Sequence, residues 1–270
     1  MRGRNYRIAV LLALLLALLL SACQYVEPLR LGLPGESRGV LRGSGAVVER
    51  RIPLESGAES YRLRLSGISL RWAGEQAQSQ RDAEDLVINE AFAREIKLST
   101  DDNIAEWIKI SCDAEGVIVI TMEEKKILAP TALRITVGAP VEELILDGAW
   151  NFVYNCPGVR ACSVRLGGAS KGDFTFGSLD RLGCTLNGAC DITLRGAAAR
   201  ADFTINGASH IAAFDLLAGD AGVTINGAGS CEITAAGALD AEVNGVGQVV
   251  YGGSPLVRRT IHGLGEVKAR

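Results

Sequence analysis

The chain has 270 residues, with 28 Lys and Arg against 31 Asp and Glu, a formal net charge of −3 and no long block of one sign. That balance argues against a nucleic-acid footprint. Aromatic residues make up only 5%, while Gly reaches 32 residues and Pro only 7, a composition that excludes a wide globular core and suits thin layers joined by tight corners.

At the N-terminus, Arg2, Arg4 and Arg7 precede an unbroken apolar run of 13 residues from Ile8 to Leu20. The run is short for a membrane span and of the right length for the core of a signal peptide. It ends in Leu20-Ser21-Ala22-Cys23, which resembles the lipobox of bacterial lipoproteins. The resemblance implies a signal peptide over 1–22, removed by cleavage, and a mature chain starting at a lipid-modified Cys23. More than one acyl chain would make membrane attachment stable. Gln24 follows the cysteine; under the sorting rule of enteric bacteria a residue other than Asp there implies outer-membrane delivery. No later segment is long and apolar enough to span a bilayer. Residues 23–40 are rich in Pro, Gly and charge and read as a tether.

The folded part is expected over 41–270, in a less regular half (41–140) and a regular one (141–270). GSGAVVERRIPLE at 43–55 opens it with an alternating strand. YRLRLSGISLRW at 61–72 alternates strictly, which puts Leu63, Leu65, Ile68, Leu70 and Trp72 in the core. Residues 74–85 are polar and helix-compatible, an excursion from the strands. WIKIS at 107–111, VIVITM at 117–122 and LRITV at 133–137 continue the strand pattern.

From 141 onward a motif of aliphatic, polar, Gly and small residue recurs. It reads LDGAW, LGGAS, LNGAC, INGAS, INGAG, VNGVG and IHGLG around Gly148, Gly168, Gly188, Gly207, Gly227, Gly245 and Gly263, at spacings of 20, 20, 19, 20, 18 and 18. Two residues before each glycine stands an aliphatic side chain, Leu146, Leu166, Leu186, Ile205, Ile225, Val243 or Ile261. The residue between is polar or Gly, and apolar phasing resumes beyond the corner, as at Ile192, Leu194, Ile211 and Ile233. Each repeat therefore reads as strand, glycine corner, strand and variable return. A unit of about 20 residues cannot bury its own apolar face, so stacked coils must share one narrow core. Gly suits the corner because it tolerates positive φ and lets backbones approach closely. Just before the glycines, Asn187, Asn206, Asn226 and Asn244 occupy equivalent positions and are expected to stack as a ladder of amides. A polar groove or cation site is the functional alternative for this column, disfavoured because neutral amides hold hard cations poorly.

In these corners the chain resembles the GIN-domain family, the group labelled as the head domain of autotransporter adhesins. The repeated NGA[GS] corners, the terminal VNGVGQVVYGGSP…IHGLGEV at 243–267, the segment DDNIAEWIKISCDAEGVIVI at 101–120 and the opening at 43–70 carry the resemblance, over about 40–270. It implies an all-β, right-handed parallel β-helix-like solenoid with coils of about 20 residues, in a cell-envelope setting. No strands of an autotransporter barrel follow the last coil, so the lipid on Cys23 is expected to be the anchor instead.

Chemistry is sparse. Cys156 and Cys162 flank the loop NCPGVRAC and are the best candidates for a disulfide, which an exported protein can form. Cys184 and Cys231 fall on the apolar phase and read as small core residues. No cysteine–histidine spacing suits a metal, and neither His210 nor His262 has a nucleophile placed by a motif. Asp147, Asp173 and Asp191 sit at or after corners, where solvated carboxylates are the ordinary reading; a glycan-cleaving pair is the alternative. The expectation is therefore a non-enzymatic envelope lipoprotein, adhesin-like or structural, without cofactor, catalytic residue or metal. It would bind an unidentified glycan or envelope protein and no nucleic acid. A glycan-acting β-helix enzyme, or a sensing lipoprotein with a protein partner, are the rival readings.

Overall fold

The computed structural model describes residues 39–54, 57–70, 85–122 and 127–270. The expected signal peptide, Cys23 and most of the expected tether lie outside the described residues, as do Trp72 and nearly all of the expected 74–85 excursion. No described helix is long and apolar enough to cross a membrane.

The regular half is a β-solenoid of about six turns with coils of about 20 residues, and strand makes up 70% of the described residues against 2% helix. Two stacked sets of strands are joined at the glycine corners. The approach set, leading into the corners, runs through Val141–Gly148 and Ala161–Gly168, the second halves of Lys171–Leu186, Asp191–Ile205 and His210–Ile225, then Ala238–Val243 and Leu256–Ile261. The departure set, leading away, begins with Asn151–Cys156, takes the first halves of the three long strands, and ends with Ala228–Ala235, Val246–Gly253 and Glu266–Ala269. Pairing between these coils is parallel, and along the approach set it stays in register: Leu144 stands beside Val164, Val164 beside Cys184, Cys184 beside Phe203, and Phe203 beside Val223.

The alternation read from the sequence decides which side of each strand is dry. Leu146, Leu166, Leu186, Ile205, Ile225 and Val243 form one fully buried column, and Leu144, Val164, Cys184, Phe203, Val223 and Ala241 a second. The core tapers along the stack. Early coils are filled by Trp150, Phe152, Tyr154, Phe174 and Phe176, with the Phe152 and Phe174 rings edge to face at 5.1 Å. Later ones close over Ala201, Ala213, Ala218, Ala221, Ala235 and Ala241. In the last coil the same phase turns outward: Ile261 is exposed, and Arg259 stands where the earlier coils have an apolar residue.

What looked like a variable return is a second bend within one long strand. Pairing slips between Thr175 and Ser178, between Thr193 and Gly196, and between Ala213 and Leu217. There the chain turns, and Gly177, Gly196 and Gly219 ride over the carbonyls of Pro157, Phe176 and Ala199.

The first half extends both sets and then closes them off. Tyr61–Leu65 lies parallel between Val117–Met122 and Val141–Gly148, continuing the approach set. Leu86–Asn89 lies parallel to Asn151–Cys156 and to Leu133–Val137. Beyond them the sense changes: Glu95–Asp101 pairs antiparallel with Leu133–Val137 and with Val47–Pro53, and Ile108–Cys112 pairs antiparallel with Val117–Met122. Leu63, Leu65 and Ile68 are buried and Leu70 half-buried. Buried Asp101 fastens this end, accepting hydrogen bonds from the backbone N–H groups of Gly45 (2.8 Å) and Thr131 (2.7 Å).

Of the two causes expected for the corner glycines, close backbone approach is the general one and positive φ the exception. Among the seven, only Gly148 and Gly168 have a left-handed φ, of 124° and 88°. At Gly168, Gly188, Gly207, Gly227, Gly245 and Gly263 the stronger constraint is the coil below. A Cβ on each would be driven into the carbonyl of the glycine one coil earlier. The corners are glycine because backbone stacks on backbone there.

Candidate functional site

The amide column lies on the outer edge of the approach set. Asn206 Nδ2 donates to Asn187 Oδ1 (2.8 Å), Asn226 Nδ2 to Asn206 Oδ1 (2.8 Å), and Asn244 Nδ2 to Asn226 Oδ1 (2.9 Å). His262 Nδ1 sits 3.0 Å from Asn244 Oδ1 and ends the series. Each amide oxygen along the column thus takes a hydrogen bond from the next coil, so these side chains are committed to one another. The backbone follows the same rule: Asn206 N–H donates to Leu186 O and Asn226 N–H to Ile205 O, both at 2.8 Å.

Next to this column the outer face of the approach set opens into a cavity of about 540 Å³. Its walls come from four successive coils. Asp202, Gly222, Asp240 and Arg258 form one row, and Thr204, Thr224, Glu242 and Thr260 the next. Gly222 stands between two aspartates in register, and the Asp202 carboxylate lies over it, with Oδ1 2.6 Å from where a Cβ would sit. Two ion pairs border the cavity. Arg200 grips Asp202 through Nε and Nη2, both at 2.8 Å. Arg258 grips Asp240 through Nε at 2.7 Å and Nη2 at 3.1 Å. The hydrogen bond to Asp202, and then its charge, hold the Arg200 guanidinium above its ordinary pKa. Asn244 Nδ2 also reaches Glu242 Oε1 (2.9 Å), joining the amide column to the rim.

The cysteine pairing expected from the sequence is not made: Cys156 and Cys162 are both unbridged thiols. Both point into the core at the aromatic end of the stack. Cys156 Sγ donates to Ala139 O (3.7 Å), and Cys162 Sγ lies 3.6 Å from the Tyr154 hydroxyl, which itself donates to Val141 O. Burial pushes Cys156 up to about 11 and Cys162 up to about 12. Cys184 and Cys231 are buried in the core columns, and burial raises them too.

Stacking also creates a contact that no linear motif announces. Asp191, His210 and Ser230 are register partners in consecutive coils, and His210 Nδ1 shares a hydrogen bond of 2.7 Å with Ser230 Oγ. This order resembles a hydrolytic triad, but the remaining geometry does not fit one. No hydrogen bond joins His210 to Asp191 among the described residues, and the Ser230 N–H is spent on Ser209 O (3.0 Å) rather than aimed at an oxyanion position. Asp173 is paired with Arg195 at 3.0 Å, while Asp147 and Asp191 are exposed at corners. No group of three or more His, Cys, Asp or Glu converges among the described residues.

Sequence reading missed two buried carboxylates, Asp101, described above, and Asp85. Asp85 accepts a hydrogen bond from the Asn151 N–H at 3.2 Å through Oδ2, and its Oδ1 has no partner among the described residues. Burial pushes it up to about 6, against the lowering effect of the Asn151 N–H.

A family profile described as “Putative auto-transporter adhesin, head GIN domain” matches residues 81–255, well over half of the chain. No curated protein matches. Several solved structures share the fold. A putative adhesin from Bacteroides fragilis superposes with a TM-score of 0.64 at 18% identity, covering 85% of this chain and 100% of that one. A putative lipid binding protein from Parabacteroides distasonis gives 0.61 at 19% identity, covering 86% and 99%. A putative adhesin from Parabacteroides merdae gives 0.59 at 17% identity, again covering 86% and 99%.

Proposed function

The chain belongs to the GIN-domain family of auto-transporter adhesin heads, and on that premise we propose that it is a non-enzymatic, adhesin-like binding module of the bacterial cell envelope. In this reading it is held at the outer membrane by lipid on Cys23, with the tether of 23–40 lifting the solenoid off the bilayer. The observation that carries the reading is the open polar face across four coils, whose arginines and aspartates are paired with one another. Such a face offers many preset donors and acceptors and no activated nucleophile, which suits holding a ligand rather than transforming it. The adhesin names of two structural neighbours agree with it. The lipid binding named for the third finds less support here, because the described core is filled with side chains and the groove is polar.

The test uses the full chain made in an outer-membrane bacterium, as wild type and as Cys23→Ser. Detergent partitioning and mass spectrometry of the N-terminal peptide follow the anchor. Affinity capture from envelope extracts, with a parallel assay for products released from a glycan panel, follows the function. A lipidated N-terminus lost in Cys23→Ser, together with a retained ligand and no released products, is the expected outcome. Released products would sink the binding-only reading, and an unmodified wild-type N-terminus with aqueous partitioning would sink the anchor.

A further inference from the structure

We propose that the groove between the Arg200–Asp202 and Arg258–Asp240 pairs binds a short neutral oligosaccharide laid over the Thr204 and Thr224 rungs. The proposal rests on the binding-module reading and names its site and ligand class.

Charge selects against most alternatives. Two guanidiniums, Arg200 and Arg258, face three carboxylates, Asp202, Asp240 and Glu242, leaving one net negative charge on the lining. Polyanions such as nucleic acid or sulfated glycans meet no unneutralised cation there. A lipid tail meets a surface of hydroxyls and charges instead of an apolar pocket. A peptide would find no aromatic-lined recess of the kind that anchors protein interfaces.

The remaining hydrogen-bonding capacity suits a sugar. A guanidinium carries five N–H donors, and each bidentate grip uses two, so Arg200 and Arg258 keep three apiece in fixed positions. Each carboxylate oxygen retains a lone pair. The hydroxyls of Thr204 and Thr224 make no hydrogen bond to other described residues, unlike Thr234, which donates to Phe214 O at 2.8 Å. A threonine hydroxyl both donates and accepts, as a sugar hydroxyl does, and its methyl offers an apolar footing for a C–H face. The groove's volume of about 540 Å³ lies within the usual range of small-ligand sites, roughly 300–1,000 Å³. Because the clamps are formed by the chain's own side chains, little side-chain ordering has to accompany binding.

The experiment screens the purified full chain against immobilised linear oligosaccharides of glucose, galactose, mannose and N-acetylglucosamine. Sulfated and uronic-acid glycans and phosphatidylethanolamine–phosphatidylglycerol vesicles form separate arms. The best neutral ligand is then titrated calorimetrically against Thr204→Val/Thr224→Val, Gly222→Gln and Thr193→Val, the last on the departure set as a control. Valine keeps shape and strand propensity and removes only the hydroxyl. Loss of two hydrogen bonds predicts weakening of roughly five- to a hundredfold. Gly222→Gln displaces the Asp202 carboxylate from its place over residue 222 and breaks its clamp with Arg200, so it should abolish binding, while Thr193→Val should bind as wild type. Affinity should barely change with salt. The proposal is overturned if no neutral oligosaccharide is retained, if only the acidic or vesicle arms respond, or if the Thr204/Thr224 variant binds undiminished. A blank neutral panel alongside a captured envelope protein would sink the oligosaccharide and leave the binding module standing; released sugar products would sink the binding-only reading instead.

Discussion

Substituting Gly207 with Ala separates the two reasons a corner can demand glycine. Gly207 does not have a left-handed φ, so alanine meets no backbone strain of its own. Its Cβ, however, would run into Gly188 O in the coil below. That carbonyl accepts hydrogen bonds from Ala208 N–H and from Ser209 Oγ, each at 2.9 Å. The coils can part only by stretching both. At about 0.5–1.5 kcal/mol per bond, Gly207→Ala should cost about 1–3 kcal/mol. For a domain of this size that lowers Tm by roughly 2–12 °C. Gly183→Ala is the matched control, because a Cβ there meets nothing within 4 Å. It should be neutral or stabilise by about 0.4–1 kcal/mol through the unfolded chain. Urea and thermal unfolding of both variants, followed by circular dichroism, read the difference. Equal losses at 183 and 207 would refute backbone stacking as the constraint.

Asn226→Ala removes one bond to Asn206 and one from Asn244; because the partners are exposed and turn to water, a loss of about 1 kcal/mol is expected in urea unfolding, and more than for Asn187→Ala at the end of the ladder. Asp85 has its pKa raised from about 4 to about 6, so the folded state holds its proton more tightly than the unfolded one. Its contribution is fully present below about pH 4 and lost as pH rises through 6, by roughly 1–3 kcal/mol. Unfolding measured from pH 4 to 8 should show that loss in wild type and a flatter profile in Asp85→Asn. Alkylation with iodoacetamide at pH 8 should label Cys112, which is half-buried, before Cys156, Cys162, Cys184 and Cys231, whose raised pKa values and burial delay reaction until unfolding.

The solenoid was legible because its two strongest signals repeat. Leu166, Leu186, Ile205 and Ile225 recur before a glycine at a nearly fixed spacing, and a strand of alternating phase has only one way to bury such a set. The second bend was not legible. Gly177, Gly196 and Gly219 mark it irregularly, since the pairing slips by different amounts at Thr175/Ser178, Thr193/Gly196 and Ala213/Leu217. The antiparallel closure by Val47–Pro53 and Glu95–Asp101 was hidden for another reason. A strand's own alternation says which side is dry and nothing about the direction of its neighbour. The cysteine pairing failed because a six-residue spacing across a Pro-Gly loop measures chain separation, whereas both side chains follow the strand phase into the core beside Tyr154.

The groove shows what a single repeat conceals. Asp202, Gly222, Asp240 and Arg258 are unremarkable along the chain, each one residue among the polar positions of its own strand. They become a site only when coils are stacked in register, because the fold converts a separation of 18–20 residues into contact between neighbours. The same conversion sets His210 against Ser230, and it was available in principle from the corner spacing: aligning the repeats on their glycines brings each of these sets into one column. What the alignment cannot supply is which columns are occupied by side chains committed to each other. Asn187, Asn206, Asn226 and Asn244 have their amides bonded along the ladder, whereas Thr204 and Thr224, two residues earlier in their coils, leave their hydroxyls to whatever the face meets. A binding face on a stacked fold is therefore to be sought in columns whose hydrogen-bonding capacity the stacking leaves over. By that criterion the Thr204–Thr224 column, flanked by paired charges, is the strongest candidate among the described residues.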